Sequence, residues 1–338
     1  MIRPSVRFAR LRLFSVAALV CLFLAALVAS AQQQVPPAQQ PAQAQQPSAP
    51  APSGPPTFPK PDPANFTASS PSKETVASFL QASWGYDESR MWQVQGIMKT
   101  PVEGIAKVVI FIGDKTGKQK PSALQFFVLQ DQKHAIAGDE IVPFGANPFA
   151  DNRAMVEKGA DGPYRGSAAK DLELVEFADF QCPHCKDAQS SMDKLAVDFP
   201  KARIVFQVYP LEKIHPSAKK AASYGYCVTK QSGSDAFFTY AAAVFDGQDG
   251  LATADGTTLT LNSAVVKAGL DPAKIAACAN TPATSDAVEA SVKLAEELNI
   301  NSTPTLMVNG RQVPIAGVPY DTLKQVVLYQ AKLDGITQ

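Results

Sequence analysis

Net charge is missing from this chain: 31 lysines and arginines face 31 aspartates and glutamates over 338 residues. A balanced composition offers no electrostatic footprint for a phosphate backbone, so no nucleic-acid partner is expected. Histidine is scarce, at 3 residues, and cysteine stops at 5. His134 has no second histidine near it and reads as a surface or hairpin residue rather than a ligand. A structural zinc site built on one cysteine pair needs a second pair of ligands. Only Cys227 and Cys278 remain for that task, and they are far apart in sequence, so no metal is expected. Large apolar residues are almost absent from residues 32 to 65, where 11 of 34 positions are proline. Such a segment cannot bury a core and reads as a disordered, partly polyproline-II spacer.

The N-terminus has charge of one sign. Arg3, Arg7, Arg10 and Arg12 precede an apolar run from Leu13 to Val28, and Ala29-Ser30-Ala31 follows. A basic start, an apolar centre and an A-x-A site describe a secretory signal peptide, residues 1–31, cut before Gln32. The rival is an uncleaved signal anchor. The run is about 16 residues against the ~20 of a spanning helix, and the small-residue site favours cleavage. Cys21 does not fit a lipoprotein signal, because Val20 stands where a small residue is needed. The expected location is periplasmic or secreted, and membrane-anchored only if the leader stays. Cleavage removes four positive charges and leaves a mildly acidic chain.

The spacer, residues 32–69, leads to a small α+β body at 70–158. Ser72 is placed to cap a helix from Lys73 to Ser83, with Val76, Phe79 and Leu80 on one face. Four strand-like runs follow: Trp92 to Met98, Ile105 to Ile112, Leu124 to Leu129, and His134 to Val142. Turn residues separate them, giving an antiparallel meander with one helix. Asn147 to Lys158 reads as a helix leading out, and Gly159 to Gly166 as a linker. No residue cluster in this body carries chemistry.

Residues 160–338 are different. Leu172 to Phe177 reads as a strand, and Cys182-Pro183-His184-Cys185 opens a helix running to about Asp198. Two cysteines in the first turn of a helix form a redox dithiol arrangement. Cys182 at the helix start meets unpaired main-chain N–H groups and the positive end of the dipole, which favour the nucleophilic thiolate. Cys185, one turn further in, can attack a mixed disulfide formed at Cys182. Pro183 suits the first turn, where its missing N–H costs nothing. His184 is a donor or cation beside the sulfur. A c-type haem site is excluded, since Lys186 stands where histidine must follow the second cysteine. Export leaves four cysteines, and Cys227 with Cys278 makes an even set: a second, structural disulfide or two buried thiols.

Beyond the dithiol, Ala202 to Tyr209 is a second strand, and residues 216–299 are helical with breaks near Gly247 to Gly256 and at Asp271-Pro272. Thr305 to Val308 and Gln312 to Ile315 flank Asn309-Gly310, the dipeptide of a type I′ hairpin. A last helix spans Tyr320 to about Leu333.

The strand–C-P-H-C–helix unit, the helical insertion and Ser302-Thr303-Pro304-Thr305 before a hairpin together resemble the DsbA-like thiol–disulfide oxidoreductases. The resemblance covers about 170 residues and implies an α/β thioredoxin fold with a helical insertion and a strongly oxidising C-x-x-C. It implies that Thr303-Pro304 is a cis-proline loop that binds substrate backbone. It also implies that Glu176 is a buried acid able to exchange a proton with Cys185, and that a Cys227–Cys278 disulfide lies inside the insertion. His215-Pro216 resembles the start of that insertion, with His215 as a cap or structural residue. Protein thiols and disulfides are the implied substrates, a membrane oxidase the implied partner, and no cofactor is implied. Thr100-Pro101-Val102-Glu103-Gly104 and the strand ending at Gly138-Asp139 resemble the dimerisation domain of DsbC- and DsbG-like isomerases. Three functions therefore stand: a disulfide oxidase, a dimeric isomerase or reductase, and a non-catalytic exported binding or chaperone protein.

Overall fold

In the computed structural model, residues 57–117 and 120–337 are described. The expected signal peptide and the spacer up to residue 56 lie outside the described residues. The first sheet begins after helix α1 (Lys73–Trp84), whose Ser72 cap accepts the Thr75 N–H at 3.1 Å. Five strands follow, β1 (Arg90–Lys99), β2 (Ala106–Asp114), β3 (Ser122–Val128), β4 (His134–Ala137) and β5 (Glu140–Pro143). They pair in sequence order, each antiparallel to the last. Val76 and Leu80 of α1 pack with Ile97, Val108, Ile110, Phe126 and Val128 on one face. On the other face Ile136 and Ile141 stand opposite each other across β4 and β5, both exposed.

Three features of this region differ from the sequence reading. The spacer becomes ordered before residue 70: Asp62 caps a 3₁₀ turn, and Thr67 and Ala68 donate to the Ile97 carbonyl, both at 3.0 Å. Composition hid this because Phe58 and Phe66 are apolar anchors within a proline-rich chain. Phe66 packs on the first core, and Phe58 lies 6.2 Å from the Phe111 ring. The run His134 to Val142 is a hairpin rather than one strand, turned at Gly138, which has φ +67°. The helix expected at Asn147 to Lys158 forms as α2 (Ala150–Gly159), and its buried side packs on the second body rather than the first. Its Val156 is buried with Val175, Phe177, Val205 and Leu294 of the second.

The second sheet also has five strands, in the order Arg311–Pro314, Thr305–Val308, Glu173–Ala178, Arg203–Val208 and Tyr164–Gly166. Strand β6 (Tyr164–Gly166) lies where a linker was expected, because its main chain pairs antiparallel with β8 (Arg203–Val208). Central β7 (Glu173–Ala178) runs parallel to β8 and antiparallel to β9 (Thr305–Val308), which turns into β10 (Arg311–Pro314). The turn is Asn309-Gly310, with φ +45° and +85°, the left-handed pair a type I′ hairpin requires. All six residues of β7 are buried, as expected for a strand covered on both faces. Helices α3 (Pro183–Asp198) and α8 (Tyr320–Leu333) cover one face through Met192, Leu195, Leu323 and Val327. The other face holds α2 and α7 (Pro282–Glu297). Between β8 and α7, helices α4 (Ala218–Asp246), α5 (Ala254–Lys267) and α6 (Pro272–Ala279) build a separate aromatic core around Phe180, Phe206, Phe237 and Tyr240. This is an α/β thioredoxin fold with a helical insertion.

Arg311 joins the two sheets. Its guanidinium donates to the Ser83 carbonyl at 3.1 Å, to the Ala82 carbonyl and to Gln330 Oε1 at 3.0 Å. The first two are unpaired carbonyls at the end of α1, where a cation also meets the negative end of the helix dipole. Tyr329 repeats the link, accepting from Gln81 Nε2 at 2.8 Å and donating to the Gln81 carbonyl at 2.7 Å.

Candidate active site

Strand β7 ends at Ala178, and the turn Asp179-Phe180-Gln181 delivers Cys182 to the N-cap position of α3. Pro183 occupies the first helical position. The Cys182 carbonyl accepts the Cys185 N–H at 3.1 Å and the Lys186 N–H at 3.3 Å, which starts the helix. Gln248 reaches in from the insertion and donates to the Phe180 and Cys182 carbonyls at 2.9 and 3.0 Å. Gln181 in turn binds the insertion, accepting the Ser217 N–H at 2.8 Å and donating to the Leu251 carbonyl at 3.2 Å. The motif is thus held on both sides.

Cys182 and Cys185 are free thiols one turn apart. Their surroundings push them in opposite directions. The Cys182 thiol is lowered to about 5. The largest cause is the hydrogen bond from the Cys185 thiol; Thr303 and the amides of Cys185 and His184 add to it, against the cost of burial. Cys182 Sγ lies 3.5 Å from the Thr303 carbonyl, and among the described residues the buried Thr303 hydroxyl has no hydrogen-bond partner in the geometry. The Cys185 thiol is pushed far above the ordinary thiol value, first by burial and then by its own donation to Cys182. Cys185 is 0 % exposed and Cys182 6 %, so both sulfurs are buried and Cys182 is not on an open helix tip.

Glu176 lies on the α3 face of β7 and is buried. Burial raises its carboxyl to about 7, against the hydrogen bond it accepts from Gln189 Nε2 at 2.9 Å. The same Gln189 nitrogen donates to the Cys185 carbonyl at 3.0 Å, linking the acid to the buried cysteine. The Thr303–Pro304 peptide is cis. Cys182, Cys185, Glu176, Thr303 and Pro304 are therefore brought together. Pro183 and His184 are exposed at the helix start, and the contribution of His184 to the sulfur is its main-chain N–H rather than its imidazole. Cys227 and Cys278 form a disulfide in the insertion, with an S–S distance of 1.97 Å joining α4 to α6. His134 is remote, on the first sheet, 2.6 Å from Asp131.

His215 is a structural residue rather than the cap of α4, whose N-cap is Ser217. Its Nδ1 lies 2.8 Å from Asp179 Oδ2. Asp179, Gln181, Gln189 and Gln248 were not singled out from the sequence. Asp179 carried a usable signal, as an acid inside an apolar run directly before the dithiol. Gln248 carried none beyond its place in a helix break. Among the described residues, no group of three or more His, Cys, Asp and Glu side chains is arranged to hold a metal ion.

Residues 158–327 match the family model described as Thioredoxin, about half of the chain. Curated relatives are Na(+)/H(+) antiporters. NhaA 3 of Salinispora tropica is 29 % identical over 148 residues, covering 44 % of this chain and 22 % of the antiporter. NhaA 1 of Mycolicibacterium vanbaalenii is 32 % identical over 149 residues, 43 % of this chain and 23 % of that protein. The chain spans less than a quarter of the length of these relatives. Among solved structures, the catalytic domain of Proteus mirabilis ScsC is similar at TM-score 0.46 and 21 % identity, over 54 % of this chain and 97 % of that one. Oxidised BdbD from Bacillus subtilis is similar at TM-score 0.46 and 22 % identity, over 51 % of this chain and 93 % of that one.

Proposed function

This chain belongs to the thioredoxin family, and from that premise we propose that it is an exported thiol–disulfide oxidoreductase that introduces disulfides into proteins. One observation carries the reading. Two free thiols share one helical turn, with Cys182 ringed by donors and Cys185 sealed from water. In the oxidised form a substrate thiolate attacks Cys182 Sγ. A new S–S bond forms, the Cys182–Cys185 bond breaks, and the electron pair leaves on Cys185. Cys185 takes up a proton, and Glu176 is a buried source that holds one up to about pH 7. A second substrate thiolate then attacks the substrate sulfur of the mixed disulfide, and Cys182 leaves as a thiolate. The substrate is oxidised and the enzyme reduced. Stabilising the Cys182 thiolate favours the reduced enzyme, which makes the oxidised form a strong oxidant. A membrane oxidase would restore the disulfide. The Thr303–Pro304 loop, which faces Cys182, would hold the substrate backbone.

The test is a pair of variants. Cys182→Ser should abolish exchange, whereas Cys185→Ser should collect protein substrates as stable mixed disulfides. Capture by the Cys182 variant alone would reverse the roles.

A second reading, a dimeric isomerase or reductase, is favoured by the exposed Ile136–Ile141 pair on the first sheet, an apolar surface for a second copy. Repair of a scrambled substrate that outruns oxidation of a reduced one would select it. A non-catalytic binding protein would instead show a Cys182 thiol near the ordinary value. Ion exchange belongs to the whole antiporters and is not proposed for this chain.

A further inference from the structure

Asp179 is a buried acidic side chain that the exchange chemistry leaves without a task. Burying a carboxylate is costly unless several donors satisfy it, and a turn can be closed without a charge. Here the carboxylate is fully enclosed between two loops. Oδ1 accepts the Gln181 N–H at 2.7 Å. Oδ2 accepts the Leu211 N–H at 2.8 Å and meets His215 Nδ1 at 2.8 Å. Leu211 and His215 lie on the connection from β8 to α4, so one side chain ties that connection to the turn before the dithiol. The main chain of Asp179 touches both cysteines. Its carbonyl accepts the Cys182 N–H at 3.1 Å, and its own N–H donates to Cys185 Sγ at 3.4 Å. Among the described residues it is the one main-chain donor on that sulfur.

We infer that Asp179 is a positioning residue for the leaving sulfur, and that His215 holds it in place: the clamped carboxylate fixes the turn so that the Asp179 N–H points at Cys185 Sγ, where charge develops as the Cys182–Cys185 bond breaks. The inference rests on the proposed thiol–disulfide exchange. In that step the attacking thiolate becomes bonded to Cys182, and its negative charge passes to Cys185, in a pocket that water does not reach. A preorganised donor at the site of developing charge acts there as oxyanion-hole donors do in acyl transfer, where losing one donor costs on the order of 10²–10³ in rate. The geometry also separates the two sulfurs. The Asp179 N–H serves Cys185, while Cys182 depends on Thr303, on the Cys185 thiol and on the amides of His184 and Cys185.

The test uses the purified, oxidised full chain with dithiothreitol as the attacking thiol. The rate of opening of Cys182–Cys185 is followed by acid quench and mass analysis, beside the pH midpoint for alkylation of Cys182 in the reduced protein. Asp179→Asn and His215→Ala should open at least about tenfold more slowly than the native protein. The Cys182 midpoint should move by less than about half a pH unit, since these contacts are not its own. His215→Gln, whose amide can replace the Nδ1 donor, should return to within about threefold of the native rate. If Asp179→Asn does not fold, the two His215 variants decide alone. Opening within about twofold of native in folded variants overturns the assignment, as does His215→Gln no faster than His215→Ala. A native protein that dithiothreitol cannot open overturns the exchange reading itself, which keeps the two failures apart.

Discussion

Each of the two sheets has five strands, but they bury their faces differently. The first is a meander with one helix on one face and exposed isoleucines on the other. The second is covered on both faces, and every residue of its central strand is buried. The consequence is electrostatic. Among the described residues, the first region buries one polar side chain, Gln95, and no charged one. The second buries Glu173, Glu176, Asp179 and Arg311. Low dielectric at the end of β7 raises the Glu176 carboxyl and the Cys185 thiol, and it strengthens each donor on Cys182. Among the described residues, the covered face of the first sheet is lined with apolar side chains and holds no titratable group to shift. The proposed chemistry accordingly uses groups of the doubly covered sheet.

The comparison can be broken at several points. The largest effect is expected at the covalent brace, which only the second region has. Replacing Cys227 and Cys278 together by Ala frees a loop of about 50 residues, and should cost about 4 kcal/mol in denaturant unfolding. A loss under about 1 kcal/mol would mean that packing in the aromatic core already fixes the insertion.

Next is Glu176. Its carboxyl stands at about 7 in the folded chain against an ordinary 4.5. The folded state thus holds the proton more tightly than the unfolded one. That contribution is fully present below about pH 4.5 and is lost as pH rises through about 7. The gap is worth roughly 3 kcal/mol. Glu176→Gln should remove this fall in stability between pH 4.5 and 8, measured as unfolding free energy against pH. An unchanged slope would show that Glu176 is ionised in the fold.

A smaller effect separates the His184 amide from its imidazole. His184→Pro keeps the first helical turn but removes the N–H on Cys182, and should raise the thiol midpoint by about one unit. His184→Ala keeps the amide and should move it by less than about half a unit. The reverse order would restore the imidazole as the tuning group. At the bottom of the scale, Ile141→Thr on the open face should change stability by no more than about 0.5 kcal/mol and leave the exchange rate alone. Slower exchange in that variant would mean that the first sheet does reach the chemistry.

Much of the second region was legible in the sequence, because its signals are local. A strand running into C-P-H-C, a proline before a short strand and an Asn-Gly turn each declare themselves within a few residues. Glu176 was legible through the resemblance. What the sequence hid depends on neighbours that are distant in the chain. Asp179 gains its meaning from Leu211 and His215, which reach it only when β8 lies parallel to β7. The allegiance of α2 is hidden in the same way, since Val156 is as apolar for one core as for the other. His184 is hidden for the opposite reason. Its imidazole is visible in the sequence, but the contact with the sulfur is made by its backbone, which every residue has.

The central claim is that one turn of α3 divides the labour, with Cys182 the thiolate and Cys185 the sealed thiol. Alkylation of the reduced protein across pH, with the modified residue identified by peptide mass, tests it most directly. The account predicts that Cys182 reacts alone, with a midpoint of about 5, while Cys185 stays unmodified until the protein unfolds. Modification of Cys185 first, or a Cys182 midpoint near the ordinary thiol value of about 8.5, would contradict it.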